Sequence, residues 1–285
     1  MKVAILGTGK MGSAMARRLH ERGFELRLWN RTRARAEQLG LGEVSGSPAE
    51  AAAGAEIVIS MLTDPKAVRG TYLGERGALE AAAPRIYIDS STVSPGVHEE
   101  IAKAVAERGS SFLEAPVLGS VPAAASGKLF VLVGGDEAVL ARARPVLEAL
   151  GEVRYVGPLG SAARVKLIAN SMLGIISEGA AELLNAGVRS GLDRERVWEV
   201  LTRLAPALNA RKAGYLEGGY EPVNFRLADL VKDLDLALDT YREAGAETPL
   251  TKSTRELYAR AMQEHGESDI AAINELWRQP AKPRT

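Results

Sequence analysis

Residues 1–12 read MKVAILGTGKMG, and how this stretch is read decides the fold. Lys2 to Leu6 form a short apolar string of strand type, and Gly7, Gly9 and Gly12 follow at once in the order GxGxxG. The next stretch, SAMARRLHERG, has helical character and ends in Gly23 after a charged last turn. In a strand–turn–helix of this kind each glycine has a task. Gly7 permits the tight turn, Gly9 lets a pyrophosphate approach the backbone, and Gly12 allows the helix to pack closely on the strand. Phosphates would lie at the helix N-terminus, where N–H groups lack intrahelical partners. Gly7, Thr8, Gly9, Lys10, Met11 and Gly12 are therefore the expected dinucleotide-binding turn. The same stretch looks superficially like a signal region, but no cleavage-type segment follows it, and a cytoplasmic location is expected.

Outward from this turn, strand-type strings alternate with helical segments. KVAILG, ELRLWN, EIVISM, RIYIDSS, SFLEAPV, LFVLVGG and VRYVG are the strand candidates. Helices of ordinary length between them imply a mostly parallel sheet covered on both faces. From about Ala162 the strand signal stops, and ARVKLIANSMLGIISEGAAELLNAG, DRERVWEVLTRL, RLADLVKDLDLALDTYREAG and SDIAAINELWR have helical period, with Asp193 and Asp269 at N-cap positions. The expectation is an α/β chain: a Rossmann-type doubly wound domain over 1–160, then an all-helical substrate and dimerisation domain over 161–285.

Composition narrows the function. Thirty-six basic residues balance thirty-six acidic ones, so neither nucleic acid nor a membrane surface is an expected partner. No segment is expected to span a bilayer. There is no cysteine, which excludes disulfides, thiolate catalysis and sulfur-ligated zinc. The three histidines, His20, His98 and His265, are far apart and read as surface or packing residues, and no metal site is expected.

The end of the second strand bears on the choice of nucleotide. An acid there would accept from the ribose hydroxyls of NAD, but the chain has Asn30, then Arg31, Thr32, Arg33 and Arg35. A carboxylate repels a 2′-phosphate, whereas an arginine fork matches its oxygens, so NADP is expected, with NAD possible. The alternative is an ordinary basic first turn on a solvated helix. Loops at the carboxyl ends of later strands bring Met61 and Leu62, then Ser91 and Thr92, towards the nucleotide. The alternative there is that Pro65 and Pro95 start helices which the preceding hydroxyls cap.

GSAARVKLIANSMLG, residues 160–174, places Lys166 and Asn170 one turn apart in an otherwise apolar helix. A snorkelling lysine beside a capping asparagine would account for the pair. A catalytic pair at the domain junction, where a cleft is expected, would account for it as well.

Four blocks in order give the chain a family resemblance. GTGKMGSAMARRL, EAPVLGSVPAAASGKL (114–129), GPLGSAARVKLIAN and KDLDLALD (from Lys232) together resemble the β-hydroxyacid dehydrogenase family, the group that contains 3-hydroxyisobutyrate dehydrogenase. The resemblance implies a nicotinamide-dependent oxidoreductase acting on a small 3-hydroxy acid, 3-hydroxyisobutyrate first, as in valine catabolism. The alternative is an NADPH-dependent reductase of tartronate or succinic semialdehyde. It also implies Lys166 as general acid/base, with Asn170 holding substrate and lysine. Leu118, Gly119 and Ser120 would receive the substrate carboxylate, and Phe225 and Lys232 would lie on the cofactor side. A homodimer or homotetramer is implied too. One departure is visible: the family usually has serine–glycine–glycine after Pro-Val, where this chain has Leu118, Gly119 and Ser120.

Overall fold

The structure, a computed structural model, describes residues 1–82 and 84–278. The chain divides into two compact units, Met1–Lys166 and the residues from Leu167 onward.

In the first unit the elements run β1 (Lys2–Leu6), α1 (Lys10–Glu21), β2 (Glu25–Trp29), α2 (Arg33–Glu37), β3 (Glu43–Val44), α3 (Pro48–Ala53), β4 (Ile57–Ser60), α4 (Pro65–Leu73), β5 (Ile86–Asp89), α5 (Pro95–Glu107), β6 (Ser111–Glu114), β7 (Val117–Leu118), α6 (Val121–Ser126), β8 (Leu129–Gly135), α7 (Glu137–Leu150) and β9 (Gly151–Gly157). One sheet holds all nine strands in the order β3-β2-β1-β4-β5-β6-β8-β7, with β9 beside β8. Side chains alternate between its faces. Val3 and Ile5 join the core under α1 and α7, while Ala4 and Leu6 join the one under α3, α4 and α5. Both faces are buried, which is why these strands read as continuous apolar runs.

The sequence predicts a mostly parallel sheet, and the pairings from β3 through to β6 are parallel. β8 departs from this. It runs antiparallel to β6 and β7, because the turn at 118–120 and the short α6 send the chain back. The strand order reverses at β1, so the crevice beyond β1 and β4 is a switch point where ligands bind in open α/β sheets.

The long helix α8 (Ser161–Arg189) begins in the first unit and continues into the second. It bears on the expectation that no segment spans a bilayer. Its most apolar window has mean hydropathy 1.3, long and apolar enough by composition to cross a membrane. Half of that window is buried inside the protein. In the second unit follow α9 (Arg194–Leu204), α10 (Lys212–Leu216), α11 (Leu227–Glu243), α12 (Pro249–His265) and a 3-10 segment, Ile270–Leu276. Asp193 and Asp269 cap their helices as the sequence predicts, accepting from Arg196 N–H and Ala271 N–H. Leu184, Leu230, Leu234, Tyr258 and Ile273 form the core, and Trp198 stacks on Tyr215 at 4.8 Å between ring centroids.

Candidate functional site

In the glycine turn each glycine meets the requirement read from the sequence. Gly7 has φ +103°, and a Cβ there would lie 2.4 Å from the Met61 carbonyl oxygen. A Cβ on Gly12 would lie 1.9 Å from the Gly7 carbonyl oxygen, so helix and strand approach as closely as glycine permits. At Gly9 a Cβ would meet nothing among the described residues within 4 Å apart from its own chain neighbours, which leaves open space beside the backbone at the start of α1. The first turn of α1 holds no acidic residue, and Gly9 supplies no side-chain cap. Thr8 is buried, yet its Oγ1 has no hydrogen-bond partner among the described residues. An orphaned hydroxyl, an open approach and uncapped N–H groups fit the pyrophosphate of a dinucleotide. Lys10 is exposed and Met11 half-buried beside this turn.

Asn30 has a more structural task than the sequence suggests. Its Oδ1 accepts from Thr8 N–H at 3.0 Å and its Nδ2 donates to the Thr32 carbonyl, so its amide ties together the turns after β1 and β2. Arg31, Thr32 and Arg35 stand exposed beyond it, while Arg33 pairs with Glu37 at 2.7 Å. Met61 and Leu62 are half-buried directly after β4. Ser91 is fully buried; its Oγ donates to Asp89 and accepts from Leu62 N–H. That hydroxyl builds the loop, and Thr92 beside it is half-buried. The alternative reading of the prolines holds in part. Pro65 and Pro95 do start α4 and α5, but Asp64 caps the first helix and Ser94 makes no capping bond.

Leu118 ends β7, Gly119 has φ +115°, and Ser120 sits at the N-cap of α6 without a side-chain capping bond. Lys166 is half-buried on α8, one turn after Ala162.

The second unit assembles its own group. Asn170 is buried, and its Nδ2 donates to Asp233 at 2.5 Å. Because a carboxylate only accepts, this bond fixes the orientation of the amide. Lys232 Nζ lies 2.6 Å from the other Asp233 oxygen, so its charge is matched locally. Phe225 is half-buried against the helical core, and its N–H donates to Asp269.

The sequence reading missed a cluster in the first unit. His98, read as a surface or packing residue, is fully buried on α5. Its Nδ1 lies 2.8 Å from Glu114 and its Nε2 2.9 Å from Asp89. Asp89 also accepts from the Ser60 and Ser91 hydroxyls at 2.6 Å each, and Glu114 from the N–H groups of Ala162 and Ala163 at the start of α8. Burial alone would depress the His98 imidazolium, but the bonds and charges of Asp89 and Glu114 outweigh it and raise its pKa to about 9. Burial likewise opposes the Asp89 carboxylate, yet His98, Ser60 and Ser91 bring its pKa below the usual value. Tyr72 on α4, bonded to Ser60, is pushed well above its usual range by burial and then by the Asp89 charge. Phe112 contributes only an uncharged ring against His98.

A pH dependence follows. The rise from 6.5 to about 9 corresponds to roughly 3 kcal/mol of native-state stability. The folded value lies above the unfolded one, so this contribution is complete below pH 6.5 and is lost as pH rises through about 9. Thermal melts of the wild type should fall across that interval, and those of His98→Gln should be flatter. Equal slopes would contradict the assignment.

Residues 2–158 match the NAD-binding domain of 6-phosphogluconate dehydrogenase, and residues 160–277 match the NAD-binding region of NADP-dependent 3-hydroxyisobutyrate dehydrogenase. The chain is 36% identical to a 3-hydroxyisobutyrate dehydrogenase of Pseudomonas aeruginosa, over 97% of its own length and 98% of the relative's. It is 32% identical to glyoxylate/succinic semialdehyde reductase 2 of Arabidopsis thaliana, over 94% and 76% respectively. Among solved structures, Mycobacterium tuberculosis 3-hydroxyisobutyrate dehydrogenase with L-serine superposes with a TM-score of 0.85 at 30% identity, over 98% of this chain and 99% of that one.

Proposed function

As the chain belongs to the family of NAD(P)-dependent oxidoreductases that contains 3-hydroxyisobutyrate dehydrogenase, acting on small hydroxy acids or semialdehydes, we propose that its substrate is 3-hydroxyisobutyrate, oxidised to methylmalonate semialdehyde with NADP. The observation that carries this reading is the pair Lys166 and Asn170 on α8, with the Asn170 amide held in one orientation by Asp233. NADP, when bound, supplies the hydride acceptor. Lys166 hydrogen-bonds the substrate hydroxyl and takes its proton during oxidation, returning it in reduction. A free lysine has a pKa of about 10.4 in water, so this task asks for a lysine in a setting unlike bulk water. Asn170 orients the substrate without bringing a negative charge next to Lys166. Ser120, whose hydroxyl is not spent on capping α6, receives the substrate carboxylate with the Leu118–Gly119 turn. The preference for NADP read from Asn30 and Arg31 suits reductive work, and this favours a second reading in which the substrate is a related semialdehyde, tartronate or succinic, reduced with NADPH. The purified protein assayed in both directions with both nucleotides tests the reading. Highest kcat/KM for 3-hydroxyisobutyrate supports it, and a preference for semialdehyde reduction selects the second.

NADP over NAD rests on the uncharged Asn30 and the exposed Arg31 and Arg35. Arg31→Ala should weaken NADP binding about tenfold, within the range of a lost charge-assisted contact, and change NAD binding much less. Equal losses on titration would remove Arg31 from the 2′-phosphate.

Assembly and location belong to the same proposal. Ile168, Met172 and Leu183 on α8 and Val200 and Leu204 on α9 expose large apolar side chains, which supports a homodimer or homotetramer. Light scattering should give a mass well above 30.3 kDa at micromolar concentration, and a species of that single-chain mass would contradict it. A cytoplasmic location, compatible with the cysteine-free sequence, is open to cell fractionation.

A further inference from the structure

Asp89 and Glu114 are register partners on the adjacent parallel strands β5 and β6, each closing an apolar strand, and both are fully buried. Two like charges side by side in a sheet interior repel one another unless a cation joins them. His98 provides the cation. Each ring nitrogen faces a carboxylate oxygen at 2.8–2.9 Å, and two such acceptors are satisfied together only by a ring with both N–H groups. The surrounding fold makes room for the arrangement. A Cβ on Gly134 of β8 would lie 2.2 Å from a Glu114 carboxylate oxygen, so only glycine fits there without displacing the acid.

The bonds leaving this trio run in two directions. On one side Asp89 accepts from Ser91 Oγ at 2.6 Å, and Ser91 Oγ accepts from Leu62 N–H at 2.9 Å, which fixes the edge of the dinucleotide crevice after β4. On the other side Glu114 accepts from Ala162 N–H at 2.7 Å and from Ala163 N–H at 3.3 Å, in the first turn of α8. There the positive end of the helix meets the negative charge left over in the trio. Lys166 follows Ala162 by one turn on the same helix face. A buried ionic cluster is weak evidence for stability, since apolar replacements often do as well. What it supplies is a fixed geometry, and hydride transfer is sensitive to misplacements of about 1 Å.

We infer that His98 is a positioning residue for hydride transfer: by clamping Asp89 and Glu114 it holds the Leu62–Ser91 loop edge and the first turn of the Lys166 helix at one fixed spacing. The inference rests on the reading of Lys166 as the acid–base group. It predicts a loss in the chemical step that is out of proportion to any loss in nucleotide binding.

The test compares wild type, His98→Gln, Glu114→Gln, the double variant and Lys166→Ala, each full-length. Every sample is measured for melting temperature, NADP dissociation constant and single-turnover hydride transfer at saturating substrate and NADP. Glu114→Gln keeps an oxygen for the α8 N–H groups but loses the charge that holds His98, so it tests the clamp with the helix still capped. Each single variant should transfer hydride about tenfold or more slowly, with NADP binding within about threefold of wild type. The double variant should be no slower than the slower single one, because the two residues act as a unit. Variants that melt lower but transfer at wild-type rate per folded molecule overturn the inference, as does a double variant whose losses multiply. Failure of both single variants to fold makes the trio a folding element and overturns it too. Lys166→Ala separates the two ideas. If it is inactive while His98→Gln and Glu114→Gln are unimpaired, only the positioning role falls. If Lys166→Ala stays active, the acid–base reading falls, and the inference falls with it.

Discussion

Replacing Lys166 by alanine is expected to cut single-turnover hydride transfer by about 10²–10⁴-fold, the usual contribution of a general acid–base group. Folding and NADP binding should survive, because Lys166 is only half-buried and alanine is the best helix former for its place on α8. Lys166→Arg should restore little, since a guanidinium does not give up its proton near neutrality. A lysine that merely packs would behave in the opposite way. Its removal would lower the melting temperature and leave the rate per folded molecule near normal. Transfer at more than about a tenth of the wild-type rate would remove Lys166 as the proton carrier. Lys232, which pairs with Asp233, would then be the next side chain to replace.

Two glycines a helix turn apart should give opposite patterns. Gly9 has φ −71°, which any residue can adopt, and apart from its own chain neighbours no atom of the described residues lies within 4 Å of the place its Cβ would take. Gly9→Ala should therefore melt close to wild type and yet bind NADP at least about tenfold more weakly, because the new methyl group fills the phosphate approach. At Gly12 a Cβ would lie 1.9 Å from the Gly7 carbonyl oxygen, a backbone atom with no cheap route of escape. Gly12→Ala should lose nucleotide binding and also stability, by about 1–3 kcal/mol or more as overpacked sites do. Calorimetry and nucleotide titration on the two variants check the contrast. A Gly9→Ala protein with unchanged NADP affinity would mean that the pyrophosphate does not pass over this turn.

The features legible in the sequence were those whose physical cause is local. Apolar runs such as Val3–Leu6 and Ile57–Ser60 announce strands buried on both faces, and the glycine spacing announces the turn between β1 and α1. Asp193 and Asp269 are visible as caps because a cap precedes its own helix. The antiparallel return of β8 was not legible, since nothing near residues 118–120 states which strand the chain will meet next. The structural bonds of Ser91 were not legible for a similar reason. Its hydroxyl meets Leu62 N–H, which belongs to a neighbouring strand's loop. His98 was missed altogether. It lies nine residues after Asp89 and sixteen before Glu114, no periodicity links the three, and sheet register alone brings the acids together. A signal was present all the same: IYID and SFLE each end an apolar strand in an acid, and two adjacent strands ending so need a cation near both.

The most direct test of the central claim follows the hydride itself. The protein is mixed with NADP and 3-hydroxyisobutyrate carrying deuterium on the carbon that bears the hydroxyl, and the nucleotide is then analysed by mass spectrometry. The account predicts reduced nucleotide with the deuterium on its nicotinamide ring, formed by the wild type and not by Lys166→Ala. A wild-type protein that binds NADP yet moves no deuterium from this substrate, or from related small hydroxy acids labelled in the same way, would contradict it.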